Sequence, residues 1–466
     1  MPTTMKNTTV LRGRDPASHP LSIVRIEVER LFGKYNYILE DPPGNLSLSS
    51  PLMILYGDNG SGKTTILKAL FYLFATDWEK ENISFFSETS LGLFSVFFAD
   101  KTKVFFTRKD HDLTGSFKMS IERDDESYEL VYDEEGEDKS NLEDKGFIEK
   151  ISTLNLKLFF LRDNRKFSSN ILEEDGFETE RVKKKLAAKK NLELLDITKF
   201  LIAGVKSSMR PKTAVRLSIK RAEDWLRDRA LALADIETEK VSNIYETIIE
   251  GIMGSSVSEA KGDEKGNSLE DLIEKLKEQA IRSQKFSRFG LMAPFDRQKI
   301  IRLLESYSGL NRDFIVKVLT PYLESVNARF KAFEEIQAIL EVFDDRLNNT
   351  FLQDKRISWK VRDGIKIISD SEDELPPEYL SSGEKQLLIL FCNAITARDK
   401  ATLFAIDEPE ISLNVKWQRL LIRSLLELTE GSQVQFILAT HSIELLSQYN
   451  ENVVELDNLL EVRDEG

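Results

Sequence analysis

Two hydrophobic periods divide this chain. Short alternating or wholly apolar runs, the pattern of strands, fill residues 22–166 and return after 351, whereas the stretch between them spaces its apolar positions for helices among mixed charges. Residues 23–29 alternate, and 35–39 are placed to pair with them across a turn at Gly33-Lys34. Residues 51–56 are an apolar run that ends in a glycine-rich loop, after which Ile66, Leu67, Leu70, Phe71 and Phe74 line one face of a helix. The β-rich runs 93–98, 103–107, 117–122 and 128–132 predict an antiparallel sheet, and 156–161 a central strand ending in Arg162-Asp163-Asn164-Arg165. One of those last four polar residues is placed to sense a ligand at the mouth of the sheet.

From about 168 to 350 the pattern is helical. Residues 215–253 and 269–282 read as two helices separated by a polar tip at 255–267, a helical hairpin, with further helices over 297–306 and 312–347. Heptads are not sustained, so the expectation is a compact insertion and not a coiled-coil rod. Strands return at 357–362 and 365–368, and Pro376-Pro377 closes a linker. The predicted organisation is a flexible N-terminus at 1–21, a first lobe at 22–167, the helical insertion at 168–350 and a second lobe at 351–466.

Composition narrows the classes. With 466 residues, 41% hydrophobic and 31% charged, the chain is long enough for a large core, and it has no apolar run near the roughly twenty residues a bilayer needs. The polar start lacks a signal-peptide core, so a cytoplasmic location is expected. A single cysteine, Cys392, rules out an internal disulfide or a paired-cysteine zinc hook and is expected to pack as a small hydrophobe. The net charge of −14 argues against an overall grip on nucleic acid. Acidity gathers at 124–138 and 370–378, read as solvated hairpins and loops or else as docking sites for a basic partner. Basic clusters at 181–185, 189–190 and 210–212 read as solvated helix faces, with nucleic-acid contact as the alternative.

Candidate chemistry lies at four places. In Gly57-Asp58-Asn59-Gly60-Ser61-Gly62-Lys63-Thr64-Thr65 the glycines let successive N–H groups turn onto phosphate oxygens at a helix start. Lys63 is placed to reach the β and γ phosphates and Thr64 to ligate a magnesium ion. Tyr35 or Tyr37 could stack on an adenine face or simply pack the hairpin. Leu380-Ser381-Ser382-Gly383-Glu384-Lys385-Gln386 opens a helix over 386–397, with Ser381 or Ser382 for the cap and Glu384 in the first turn, a second anion-binding device. The buried run 403–406 ends in Asp407-Glu408: Asp407 is the expected magnesium partner and Glu408 the general base that polarises water. A last buried run, 434–439, delivers His441 to its carboxyl end, where a γ phosphate would lie.

This order of GDNGSGKTT, LSSGEKQ, LFAIDEPE and ATHS resembles the ATP-binding-cassette (ABC) ATPases: Walker A, signature, Walker B with catalytic glutamate and D-loop, and switch histidine. The resemblance covers residues 22–166 and 351–450. It implies an α/β fold, an ABC ATPase head of mixed sheet plus antiparallel β subdomain split by an α-helical insertion, with ATP and Mg2+ as cofactors. It also implies a head-to-tail homodimer with two ATP sites. There Asn59, Gly60, Ser61, Gly62, Lys63, Thr64 and Thr65 of one chain, and Ser382, Gly383 and Glu384 of the other, hold one nucleotide. Thr64 and Asp407 would take the metal, Glu408 and His441 the chemistry, and Glu410, Ser412 and Asn414 the dimer seam. The usual glutamine after the third core strand is replaced by the Arg162–Arg165 segment. The Ser-Ser-Gly-Glu signature and the Asp407–Leu413 stretch are similar to the SMC, RecF and OLD side of the superfamily.

Within that side, LFGKYNY at 31–37 ahead of ILYGDNG at 54–60, with the short insertion, resembles the AriA family, the ATPase subunits of PARIS anti-phage systems. That resemblance implies a sensor scaffold built from ATP-bound dimers into a larger ring, a hexamer. The ring would hold a toprim-type (AriB-like) nuclease and release it when a phage-encoded anti-restriction protein docks. A DNA-repair or chromosome ATPase of RecF or SMC type, clamping duplex DNA, is the competing reading. A transporter motor is disfavoured by the insertion and the motif variants.

Overall fold

The structure is a computed structural model that describes residues 21–40, 51–75, 80–109, 111–134, 142–162, 167–169, 214–233, 269–292, 298–305, 312–352, 354–411 and 413–458. The N-terminal segment 1–20, the expected tip at 255–267, the basic clusters at 181–212 and Asp163 to Arg165 lie outside these residues. Contacts divide the chain into two compact units, one of residues 1–214 with 397–466 and one of 215–396.

The first unit carries two sheets. Its strands are β1 (Ile23–Leu31), β2 (Tyr35–Glu40), β3 (Leu52–Tyr56), β4 (Leu93–Phe98), β5 (Lys103–Thr107), β6 (Phe117–Arg123), β7 (Glu126–Tyr132), β8 (Leu142–Lys145), β9 (Lys157–Leu161) and β10 (Phe167–Ser169). An antiparallel sheet runs β2-β1-β4-β5-β6-β7-β8. It forms because β1 and its neighbours alternate buried and part-exposed residues, which lets one face pack and the other meet water. The β6–β7 turn, Asp124-Asp125, holds positive φ at both residues (53° and 63°) and is solvent-exposed, so this part of the acidic run is a solvated hairpin.

The second sheet takes strands from both ends of the chain. After the 397 boundary come β14 (Thr402–Asp407), β15 (Val434–Ala439) and β16 (Val453–Glu455), and the order is β10-β9-β14-β15-β3-β16. All pairings are parallel except that of β10 with β9. Every residue of β14 and β15 is buried, as expected for strands covered on both faces. One continuous core joins the sheets, with Ile26, Val28 and Phe94 of the antiparallel sheet in the same cluster as Met53, Leu55, Ala405 and Ile437. The helix Lys63–Leu73 (α1) buries Ile66, Leu67, Leu70 and Phe71 in that cluster. A buried amide fastens the two sheets: Gln435 Oε1 accepts the Ile23 N–H at 2.9 Å and its Nε2 donates to the Ile23 carbonyl at 2.8 Å.

The second unit is mainly helical: residues 215–233, Leu269–Arg288, Gln298–Glu305 and Arg312–Asp344, the last continuing into a wider turn at Asp345–Phe351. Leu269, Leu272 and Leu276 pack with Ile301, Leu304 and Leu323 in one cluster. A three-stranded antiparallel sheet, β11 (Lys355–Lys360), β12 (Gly364–Ser369) and β13 (Glu374–Leu375), belongs here, and its Ser369–Asp373 turn leaves the acidic run at 370–374 exposed. So does the helix Ser382–Thr396, buried along most of its length, whose Phe391 meets Phe351 at 5.6 Å and whose Asn393 donates to Ser218 Oγ at 2.7 Å. Packing therefore groups the Ser382 helix start with the helices before it, while a division drawn on motifs cuts near 351. Cys392 in this helix is fully buried and free. No helix among the described residues is long and apolar enough to cross a membrane.

Candidate nucleotide site

The parallel sheet brings three chain segments to one edge. Its register sets Asp407 opposite Ala439 and Ala439 opposite Leu55, so the glycine loop, Glu408 and His441 all leave the sheet just beyond a shared row. Ligands of α/β sheets collect at this carboxyl end.

In the loop, Gly60 and Gly62 hold φ of +85° and +94°, a region that side-chain-bearing residues rarely enter. A Cβ at Gly62 would stand 2.4 Å from Leu31 Cδ2. No side chain among the described residues caps α1, whose N-cap is Gly62, so its first-turn amides have no capping oxygen of their own. The buried Ser61 Oγ has no hydrogen-bond partner among the described residues. A phosphate group fits this cradle on three counts: the glycine geometry, the uncapped amides and the orphaned hydroxyl.

Lys63 is 7% exposed and donates to the carbonyls of Gly57 (2.7 Å) and Asp58 (2.9 Å) across the loop. Burial lowers its pKa from the ordinary lysine value, opposed in order by the charges of Glu408, Asp407, Asp58 and Glu410. The charges of the strand-end carboxylates thus act on the loop lysine. Asp407 is 2% exposed. Glu408 donates its N–H to Ala439 O at 2.8 Å, continuing the ladder one residue past Asp407, and holds a positive φ of 49°. Thr64 and Asp407 offer oxygen donors, the type that a hard divalent cation takes.

His441 is partly exposed, and its N–H donates to Glu410 Oε1 at 2.9 Å. Ser442 caps the helix Ile443–Gln448 and donates to Gln418 Oε1 (2.9 Å), while Gln418 donates to Leu413 O (2.9 Å). Asn414, expected on a dimer seam, caps the helix Val415–Leu428 by accepting the Trp417 N–H at 2.9 Å. Ser412 lies outside the described residues.

In the second unit, Ser381 and Glu384 form a reciprocal capping box: Glu384 Oε2 accepts the Ser381 N–H at 2.6 Å and Ser381 Oγ accepts the Glu384 N–H at 3.3 Å. Lys355 pairs with Glu384 at 3.2 Å. The helix therefore begins at Ser382, four residues before the position the hydrophobic pattern marks, with Ser382 exposed and Gly383 buried. Glu384 serves its own helix start here.

Two further expectations bear on the loop, one for Tyr37 and one for Arg162. Tyr37 is 2% exposed and its ring stacks on Tyr35 at 5.7 Å, so it packs the hairpin and is closed to a base. Its hydroxyl has a different use, donating to Ser61 O at 2.9 Å. Arg162, at the place of the missing glutamine, donates to the Tyr72 hydroxyl at 2.9 Å and stands 3.5 Å from Glu81 Oε1. It is turned toward the helices that follow the loop. Sequence reasoning missed the Tyr37 hydroxyl and the Glu410–His441 bond; the one available signal was the carboxylate of Glu410 two residues beyond Glu408.

Residues 52–447 match the family described as "AAA domain, putative AbiEii toxin, Type IV TA system". Over 87 residues the chain is 34% identical to the "Putative ABC transporter ATP-binding protein" of Methanopyrus kandleri, covering 19% of this chain and 31% of that one. It thus spans less than a third of that curated relative. Among solved structures it is similar to the Smc head domain of Pyrococcus furiosus, bound there to the C-terminal domain of ScpA (TM-score 0.36, 14% identity, 95% and 99% of the two chains). The SMC head domain of Thermotoga maritima gives a TM-score of 0.29 at 13% identity, with 92% of each chain covered. With a family match spanning residues 52–447, most of its length, this chain belongs to the AAA-domain family of AbiEii-like proteins.

Proposed function

We propose that this protein is a regulatory ATPase of an anti-phage defence system. In this reading ATP fastens two copies head to tail, and the assembled ring holds a toprim-type nuclease until a phage-encoded protein docks. The observation that carries the ATPase part is the shared row of Leu55, Asp407 and Ala439, beyond which the lysine-bearing loop, Glu408 and His441 leave the sheet together.

Roles follow from position. The loop amides and Lys63 would bind the phosphates. A magnesium ion held by Thr64 and Asp407 would neutralise charge on the β and γ phosphates. Glu408 would accept a proton from the attacking water, and His441 would orient the terminal phosphate. Ser382 and Gly383 of a second copy would close the site. The family's description, a toxin of a type IV TA system, supports a defence setting over chromosome maintenance. The net charge of −14 supports a protein partner over duplex DNA.

The test is co-expression of the Glu408→Gln chain with a tagged toprim nuclease, followed by sizing with ATP and with ADP. The expected result is a ring-sized complex that retains the nuclease in ATP and falls apart on adding the phage anti-restriction protein. Tight, salt-sensitive duplex binding by an ATP-bound dimer that ignores the nuclease would overturn the reading in favour of a RecF-like clamp.

A further inference from the structure

We propose that Glu410 is a positioning residue for His441. The inference rests on the reading of Glu408 and His441 as the hydrolytic pair. Glu410 lies two residues beyond Glu408, outside the Asp407-Glu408 couple, and reaches across to the next strand's exit, where its Oε1 accepts the His441 N–H at 2.9 Å.

The bond is separate from the local scaffold. The turn that contains Glu410 is already formed by main-chain bonds, Ile411 N–H to Glu408 O at 3.1 Å and Leu413 N–H to Glu410 O at 3.0 Å. On the other side, Thr440 donates its N–H to Leu55 O at 3.3 Å, Ser442 donates its N–H to Thr440 Oγ1 at 3.0 Å, and Ser442 is tied to Gln418. Residues 440 and 442 therefore have their own ties, and the N–H of His441 itself depends on the carboxylate.

A second observation marks this carboxylate as more than a turn residue. Glu410 Oε2 is buried with no hydrogen-bond partner among the described residues, and its charge acts on Lys63. A buried carboxylate oxygen left without a donor is costly, so its retention beside the loop lysine fits a site under functional constraint. Glu410 thus bonds the histidine main chain through one oxygen and keeps the other buried, while its carboxylate charge acts on Lys63. Its place in the segment after Glu408 lets it set the imidazole's approach to whatever Lys63 holds.

The test compares Glu410→Ala with Glu410→Gln, since glutamine keeps an oxygen that can accept the His441 N–H. Turnover in Glu410→Ala should fall about tenfold with KM for ATP and the melting temperature little changed, and Glu410→Gln should recover to within about threefold of the parent. Because the chain has three histidines, the His441 imidazole resonance is assigned with a His441→Asn chain. That resonance should shift or broaden in Glu410→Ala, without nucleotide, and stay in place in Glu410→Gln. Full turnover in Glu410→Ala, or a His441 resonance unmoved in both variants, overturns the inference. Glu408→Gln separates the two readings: undiminished hydrolysis there refutes the hydrolytic pair, whereas an inert Glu408→Gln beside a fully active Glu410→Ala refutes the positioning role alone.

Discussion

The hydroxyl of Tyr37 donates to the carbonyl of Ser61 at 2.9 Å, joining the edge strand of the antiparallel sheet to the middle of the phosphate loop. Twenty-four residues separate the two. The bond spans two structural layers and fixes a carbonyl next to Gly62, so the loop's amides are oriented before any ligand arrives. Tyr37→Phe keeps the buried ring and removes that tie. A buried neutral hydrogen bond is worth about 1 kcal/mol, which corresponds to roughly fivefold weaker ATP binding by titration calorimetry with the fold intact.

Gly62→Ala should be more damaging. Its φ of +94° is strained for alanine, and the new methyl would meet Leu31 Cδ2 at 2.4 Å. A cost of about 1–3 kcal/mol in stability is expected, together with loss of measurable nucleotide binding, by thermal melts with and without ATP. An alanine chain that binds ATP normally would remove the loop from the site.

Two substitutions should separate binding from turnover. Glu408→Gln is expected to retain ATP affinity and lose hydrolysis by about a hundredfold or more, because the proton acceptor goes while Asp407 and Thr64 stay. Lys63→Ala is expected to lose affinity itself. Phosphate release and a fluorescent-nucleotide titration on the same preparations distinguish the two.

The lowered pKa of Lys63 gives a pH signature with two opposite signs. In the window between that lowered value and the ordinary 10.5, the unfolded chain binds more protons at this position than the folded one, so stability from this group rises with pH. Over the same window the ammonium that would meet phosphate is lost, and ATP affinity should fall. Melting and binding measured across the alkaline range should diverge in the parent, and the divergence should shrink in Lys63→Arg.

Gln435→Leu tests the fastening of the two sheets. It strips the Ile23 N–H and carbonyl of their buried partners, which should cost about 2–4 kcal/mol in chemical denaturation. A change under about 0.5 kcal/mol would show that the sheets are held by apolar packing alone.

Much of this protein is legible from sequence because its signals are local. The glycine spacing around Lys63, the fully apolar runs ending at Asp407 and before His441, and the alternating runs of the antiparallel sheet each encode their own conformation within a few residues. The strands at Leu93–Phe98 and Lys103–Thr107 fall where the periodicity places them. The serine cap and Glu384 in the first turn were legible before the Ser382 helix, but apolar periodicity put its first residue at Gln386, because the reciprocal bond of a capping box leaves no apolar pattern.

Other features were settled only by tertiary structure. Parallel register aligns Asp407 and Ala439 with Leu55, which lies more than three hundred residues before them, and no local pattern carries that alignment. Tyr37 read as a ring and acts through its hydroxyl; Arg162, one of four residues among which a ligand sensor was expected, turns to Tyr72. Gln435 meets Ile23 across 412 positions, and Glu410 meets His441 across 31. Sequence by itself determined which residues can do phosphate chemistry, because residue type sets charge, donors and backbone freedom. The fold decided which of them meet, because proximity in a parallel sheet is fixed by strand order and register, which are properties of the whole chain.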